Sequence, residues 1–175
     1  MLAQLPFQVS ENNVEKRKGK NMTNNDILRR LRYIENLRDQ ELISIFELGQ
    51  KEVSKDKISK WLKKDDHPEY EFINDEGLSS FLNGLIIKLR GPQESQTPIA
   101  EKKLTNNLIL RKISIAYQLR SDDILAIMKL ANFHLGKSEL SAFFRKPEHK
   151  NYRECKQQIL RNFLQGLQMK KRETT

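Results

Sequence analysis

Displacing the chain by 82 residues lays it on itself without a gap, and this internal duplication restricts the fold more than any other feature. Thr23-Asn24-Asn25 falls on Thr105-Asn106-Asn107, Ile27-Leu28-Arg29 on Ile109-Leu110-Arg111, and Leu37-Arg38 on Leu119-Arg120. In the same register His67 meets His149 and Tyr70 meets Tyr152. Phe81-Leu82-Asn83-Gly84-Leu85 meets Phe163-Leu164-Gln165-Gly166-Leu167. About a third of the aligned pairs are identical, and many others exchange one apolar residue for another. The chain is two copies of one folding unit, residues 22–90 and 104–172, joined by a linker at 91–103. Residues 1–21 form an extension belonging to neither copy, expected to be disordered or loosely attached, and 173–175 form a short tail.

Each copy reads as four helices. Thr-Asn-Asn supplies side chains that cap the orphan amides of a helix start, and Ile27, Leu28, Leu31 and Ile34 follow at helical spacing. Ile109, Leu110, Ile113 and Ala116 repeat that stripe. The third helices carry Ile58, Trp61 and Leu62, matched by Leu140, Phe143 and Phe144. The fourth carry Leu78, Phe81, Leu82 and Leu85, matched by Leu160, Phe163, Leu164 and Leu167. The pattern predicts an all-α fold with helices near 25–36, 40–50, 54–64 and 75–89, and again 82 residues on.

A single copy of this size buries too little surface to be more than marginal alone, so the copies are expected to pack face to face about a pseudo-twofold axis. Gly91 and Pro92 open a helix-breaking joint between them. Gly84 and Gly166 interrupt apolar helices at the same place in both copies, at a cost of roughly 1 kcal/mol each against alanine. They predict a close helix crossing, placed by this reading between the two fourth helices across the axis. A leucine there is expected to overpack the crossing by about 1–3 kcal/mol, and at Gly84 a single added methyl to be milder.

Composition excludes several classes. Seven Gly and five Pro are too few for a turn-rich sandwich or barrel. One Cys rules out a disulfide framework, and no apolar run approaches the ~20 residues that span a bilayer. The start of the chain lacks the basic and apolar regions of a secretory signal. A cytoplasmic protein without a membrane segment is expected. The net charge of +9 is unevenly placed: residues 104–175 carry fourteen basic against six acidic residues, whereas 22–90 carry twelve against thirteen. Such a balance suits an acidic partner.

Several stretches resemble one family. Thr23-Asn24-Asn25-Asp26-Ile27-Leu28-Arg29-Arg30-Leu31-Arg32-Tyr33-Ile34 is similar to the opening of the bacterial YehS-like family. Leu78-Ser79-Ser80-Phe81-Leu82-Asn83-Gly84-Leu85-Ile86 and Pro147-Glu148-His149-Lys150-Asn151-Tyr152-Arg153-Glu154-Cys155 resemble it as well. The resemblance covers about residues 22–172 and implies a small helical domain repeated twice. It brings no activity and no catalytic residues.

Two stretches carry candidate binding chemistry. Val53 to Leu62 is similar to the turn and recognition helix of repressor-type DNA-binding domains, with Ser54 as cap, Ile58 and Trp61 as anchors, and Lys55, Lys57 and Lys60 outside. The small residue and turn glycine of that motif are replaced by Leu48 and Glu52, which favours ordinary helix packing. In the second copy Arg145, Lys146, Lys150, Arg153 and Lys156 cluster with His149 and Tyr152 interleaved, a pattern suited to phosphates and stacked bases. The aligned stretch of the first copy carries Lys63, Lys64, Glu69, Glu71 and Asn74, so the cationic character is not part of the shared scaffold. The shared His and Tyr are expected to be structural.

Catalysis is the least supported class. Cys155 and His149 lie six apart, and no paired metal-ligand spacing or phosphate-cradling glycine loop is present. The expectation is a non-catalytic helical binding module without cofactor or metal, contacting an unidentified protein through a groove between its repeats. The alternative is nucleic-acid binding through the basic second repeat and the third helices. The oligomeric state is left open by the sequence.

Overall fold

The computed structural model of the protein describes residues 21–92 and 98–175. The expected extension at 1–21, apart from Asn21, and the middle of the linker lie outside the described residues. Among the described residues the fold is all-α: α1 (Asn24–Glu35), α2 (Asp39–Leu48), α3 (Lys55–Leu62) and α4 (Asp75–Arg90) form the first repeat. α5 (Asn106–Ala116), α6 (Ser121–Leu130), α7 (Lys137–Phe143) and α8 (Gln157–Glu173) form the second. α8 runs through Glu173, so the three-residue tail is shorter than the sequence suggests.

Local chemistry sets the helix ends in duplicate. Thr23 caps α1 through a reciprocal box in which its hydroxyl accepts the Asp26 amide and Asp26 accepts the Thr23 amide at 2.8 Å. Thr105 repeats the hydroxyl half, accepting the Leu108 amide at 3.2 Å. Asn36 and Gln118 both leave their helices in the left-handed region at φ 52°. Gln50 and Asn132, again 82 apart, do so at φ 62° and 55°. This conformation is costly for side-chain-bearing residues, and its recurrence at matched positions shows that both repeats turn the same corners.

Each repeat contributes the same apolar centre to one core that runs through both. Phe46 of α2 lies 5.4 Å from Trp61 of α3 and 5.3 Å from Phe81 of α4, ring centre to ring centre, both tilted. Met128, Phe143 and Phe163 occupy the aligned positions and are equally buried. The glycines allow this contact. A Cβ on Gly84 would lie 1.8 Å from the carbonyl oxygen of Ile45, and one on Gly166 would lie 2.0 Å from that of Ile127. The close crossing therefore joins α2 to α4 and α6 to α8 inside each repeat, not the two fourth helices as the sequence suggested. The obstacle is backbone, so even alanine does not fit without displacement. Each fourth helix is already occupied on that side by the second helix of its own repeat, which is why it cannot also meet its counterpart there.

The repeats join through two seams. α4 packs along α5, and α8 packs along α1. At the start of the first seam the Leu104 amide donates to Asp75 at 2.9 Å; at the start of the second the Met22 amide donates to Gln157 at 3.2 Å. Both partners are related by the same 82-residue shift. Where the seams converge, the Tyr117 hydroxyl donates to Glu35 at 2.7 Å. Glu35 and Tyr117 are themselves aligned residues, and equivalent residues touch each other only on a symmetry axis. The pseudo-twofold passes between them. Burial and the Glu35 carboxylate push the Tyr117 hydroxyl far above the ordinary phenol range, so it remains a donor.

Candidate functional site

The second Asn of each Thr-Asn-Asn does more than the sequence reading assigned to it. Asn25 is fully buried, and its amide donates to the carbonyls of Trp61 at 2.9 Å and Glu71 at 2.8 Å. Its oxygen accepts the Tyr70 hydroxyl and the Ile73 amide, each at 3.1 Å. Asn107 repeats this, donating to Phe143 at 3.0 Å and Arg153 at 2.8 Å and accepting the Cys155 amide at 2.9 Å. Asn24 and Asn106 add a bond to the carbonyls of Ile73 and Cys155. One side chain on the first helix thus ties the end of the third helix to the loop ahead of the fourth. The signal was visible: both asparagines recur in both copies, whereas capping requires only the threonine.

In the second repeat this hub gathers cations. Holding the Phe143 and Arg153 carbonyls on one amide sets Arg153 beside the segment that begins at Arg145, and the Arg153 amide also donates to Ala142 at 3.2 Å. Arg111 of α5, which the sequence reading did not single out, donates from its guanidinium to the Phe144 carbonyl and is exposed. The Arg145 guanidinium lies 3.3 and 3.4 Å from the two ring nitrogens of His149. Nδ1 of His149 accepts the Asn151 amide at 3.0 Å, so the ring also pins the turn. Lys146, Lys150, Arg153 and Lys156 are exposed and form no ion pair among the described residues.

His67 and Tyr70 hold the matching loop of the first repeat by the same means, the Glu69 amide donating to His67 at 3.1 Å. The charges there are reversed. Lys57 pairs with Glu71, and Lys60 pairs with Asp56 and Glu71 at 3.3 Å each. Lys63 pairs with Glu69 at 3.4 Å. Hydrogen bonds to Asp56 and Glu71 raise the Lys60 ammonium above its usual range, and those from Lys57 and Lys60 lower Glu71. The α3 helix does have the cap and anchors of the helix-turn-helix reading: Ser54 accepts the Lys57 amide at 3.1 Å, and Ile58 and Trp61 are buried. Two of its three outward lysines are nevertheless engaged by carboxylates of their own repeat. The structure brings Lys57 and Lys60 to Glu71, not to the cations of the second repeat.

A groove of about 650 Å³ opens where α1 and α8 end together. Arg29, Arg32, Lys171 and Arg172 supply cations to its lining, and Tyr33, Leu37 and Leu62 supply apolar surface. Arg29 is held by Asp26 and by the Lys63 carbonyl, Arg32 reaches Asp39 at 3.4 Å, and Lys171 reaches Glu35 at 3.2 Å. Arg172 lies 4.9 Å over the exposed Tyr33 ring and forms no ion pair among the described residues. The seam formed by α4 and α5 serves as an internal comparison. It keeps Arg111 and Arg90 in place of Arg29 and Arg172, but in place of Arg32, Tyr33, Gln168 and Lys171 it carries Ser114, Ile115, Ile86 and Leu89, none of them charged.

Two further polar features are structural. Lys112, nearly buried, donates to Asn83 at 2.6 Å and pairs with Glu101 at 3.0 Å. Glu101 also receives the Ser79 hydroxyl. Burial opposes the Glu101 charge, but the bonds from Ser79 and Lys112 outweigh it and hold the carboxyl below its usual range. Cys155 occupies the core position that Ile73 fills in the first repeat, and burial pushes its thiol up to about 12. A thiol so rarely ionised is a poor nucleophile. Among the described residues no cluster of three or more His, Cys, Asp or Glu is placed to hold a metal, and no helix is long and apolar enough to cross a membrane.

Fold and surface together define a tandem-repeat helical protein in which one scaffold carries two differently charged faces. The chain belongs to the family described as "Protein of unknown function (DUF1456)", whose model matches residues 24–91 and 106–173, one match per repeat. It is 44% identical over 147 residues to the "Uncharacterized protein YehS" of Escherichia coli (strain K12), across 83% of this chain and 94% of that relative. No solved structure matches the chain.

Proposed function

We propose that the protein is a non-catalytic cytoplasmic binding module that holds an acidic protein partner in the groove between α1 and α8. One observation supports the reading: of two seams built on the same repeat, only this one carries the cations Arg32 and Lys171 and the exposed aromatic Tyr33. The other seam packs with Ser114, Ile115, Ile86 and Leu89 at the aligned positions, so joining the repeats does not require Arg32, Tyr33, Gln168 and Lys171. Arg and Tyr are the residues on which interfaces concentrate binding energy. The apolar surface of Leu37 and Leu62 offers a seat for an aliphatic or aromatic side chain, and the cationic lining steers acidic residues toward it.

The test is affinity capture from nuclease-treated lysate with wild-type protein and with an Arg32→Ser/Arg172→Ser variant. A partner retained by the wild type after nuclease and released by the variant is the expected result. A partner held equally by both, or one lost from the wild type on nuclease treatment, would refute the groove reading.

A further inference from the structure

A different surface, independent of the groove, carries a second binding assignment. We infer that the loop between α7 and α8, together with Arg111, is a docking face for the phosphate backbone of nucleic acid.

The protein contains its own comparison for this loop. Residues 63–74 and 145–156 are the same loop, anchored by the same asparagine hub, closed by the same histidine, and followed by the same fourth helix. The first carries two basic and four acidic residues; the second carries five basic and two acidic. In the first, Glu69 and Glu71 neutralise Lys57, Lys60 and Lys63. In the second, Asn151 and Arg153 stand at those positions, while Arg145 keeps the place of Lys63. The loop thus exchanged its internal counter-charges for a further cation. Self-repulsion of this kind costs stability unless an external anion relieves it.

Geometry makes the cations act together. The Asn107 amide draws the Phe143 and Arg153 carbonyls onto one point, Arg111 reaches the adjacent Phe144 carbonyl, and the Arg145 guanidinium lies 3.3 Å from the ring of the turn-forming His149. The backbone is pinned at each of these places, so the charges are presented on an ordered support.

The face selects for phosphate over other anionic surfaces. Among the described residues the large apolar side chains that are exposed are Tyr33, Leu48, Phe72, Ile99, Ile115 and Met169, and none belongs to this loop. Phe72 is the telling member, because Glu154 takes its aligned place in the second repeat. A protein interface would need a buried apolar or aromatic anchor, and on a lipid surface a basic patch without an inserting side chain holds only weakly. A diffuse set of Arg and Lys donors without such an anchor matches the charge-dense, repetitive backbone of a nucleic acid, where contacts position without reading sequence.

Fluorescence anisotropy with labelled duplex DNA, single-stranded DNA and RNA tests the assignment on the full chain. Binding to at least one of these is expected near 50 mM salt. With about four to six phosphate contacts, the logarithm of affinity should fall with the logarithm of salt at a slope of about −3 to −5. An Arg145→Ser/Lys146→Ser/Arg153→Ser variant should bind at least about tenfold more weakly and lower that slope by about two to three. All three side chains lie outside the core, and an unchanged circular-dichroism melt establishes that the variant is folded. A Lys55→Ser/Lys57→Ser/Lys60→Ser variant, with the same loss of charge elsewhere, should bind like wild type. An Arg32→Ser/Arg172→Ser variant should do so too, which separates this face from the groove. Failure to bind any of the three nucleic acids at low salt overturns the assignment. Equal weakening by the α3 variant reduces the effect to net charge and overturns it. So does tighter binding of polyglutamate than of any nucleic acid, which would make the face a site for acidic protein.

Discussion

Replacing Gly84 by alanine, the best helix former, should destabilise this protein. Helix propensity alone predicts a gain of roughly 1 kcal/mol. The built Cβ, however, lies 1.8 Å from the Ile45 carbonyl oxygen, 2.8 Å from its carbon and 3.0 Å from the Gly49 amide nitrogen. Those are backbone atoms, and the same oxygen already accepts the Gly49 amide at 3.0 Å as α2 ends. No rotamer change relieves the clash. Restoring ordinary contact requires α2 and α4 to part by roughly 1.5 Å, and gaps of 0.5–1 Å already forfeit about a quarter to a half of a dispersion contact. The contacts at risk include Phe46 against Phe81, 5.3 Å between ring centres. Overpacking costs typically about 1–3 kcal/mol, more when the obstacle cannot move. With immovable backbone as the obstacle the cost is set at or just above the top of that range, about 3–4 kcal/mol, and after the propensity gain a net loss of about 2–3 kcal/mol is expected, a large part of the roughly 5–15 kcal/mol that stabilises an ordinary domain. Urea denaturation should show a midpoint lower by about 1 M at unchanged slope. Gly166→Ala should behave alike, its Cβ lying 2.0 Å from the Ile127 oxygen. A midpoint equal to or above wild type for Gly84→Ala would refute the close-crossing argument.

Asn107→Ala and Asn25→Ala should each cost about 2–4 kcal/mol in thermal or chemical denaturation, because buried backbone groups lose their partners; a loss below about 0.5 kcal/mol would mean that the hub is dispensable. Glu101→Gln should lower stability near neutral pH by leaving the Lys112 ammonium without its anion. Since the folded Glu101 carboxyl titrates below its ordinary value of 4.5, its contribution is complete above that value and disappears as pH falls through the folded value. The gap between wild type and variant should therefore close on acidification, and a gap constant from pH 7 to pH 3 would exclude this role.

The repeat, the all-helical class and most of the core were legible in the sequence. Ile27, Leu28, Leu31, Leu78, Phe81, Leu82 and their partners 82 residues on are all buried. This follows because helical periodicity and capping are local, and duplication samples the same local code twice. The candidate sites were legible only in part. Composition located the basic half and the cluster from Arg145 to Lys156, since charge is additive along a chain. It could not show that Glu71 engages Lys57 and Lys60, nor that Arg111 joins the second-repeat cluster from a helix more than thirty residues away.

The groove had no sequence signature, because Arg32, Tyr33, Lys171 and Arg172 lie at opposite ends of the chain and meet only when α8 returns to α1. The glycines divide in the same way. Their recurrence inside apolar helices announced a close approach, but their partner depended on which face each helix gave to its own repeat. Sequence thus determined the repeating unit and its secondary structure, whose forces act within a few residues. Tertiary structure decided the pairing of helices and the neutralisation or release of each charge, because both depend on groups brought together only by folding.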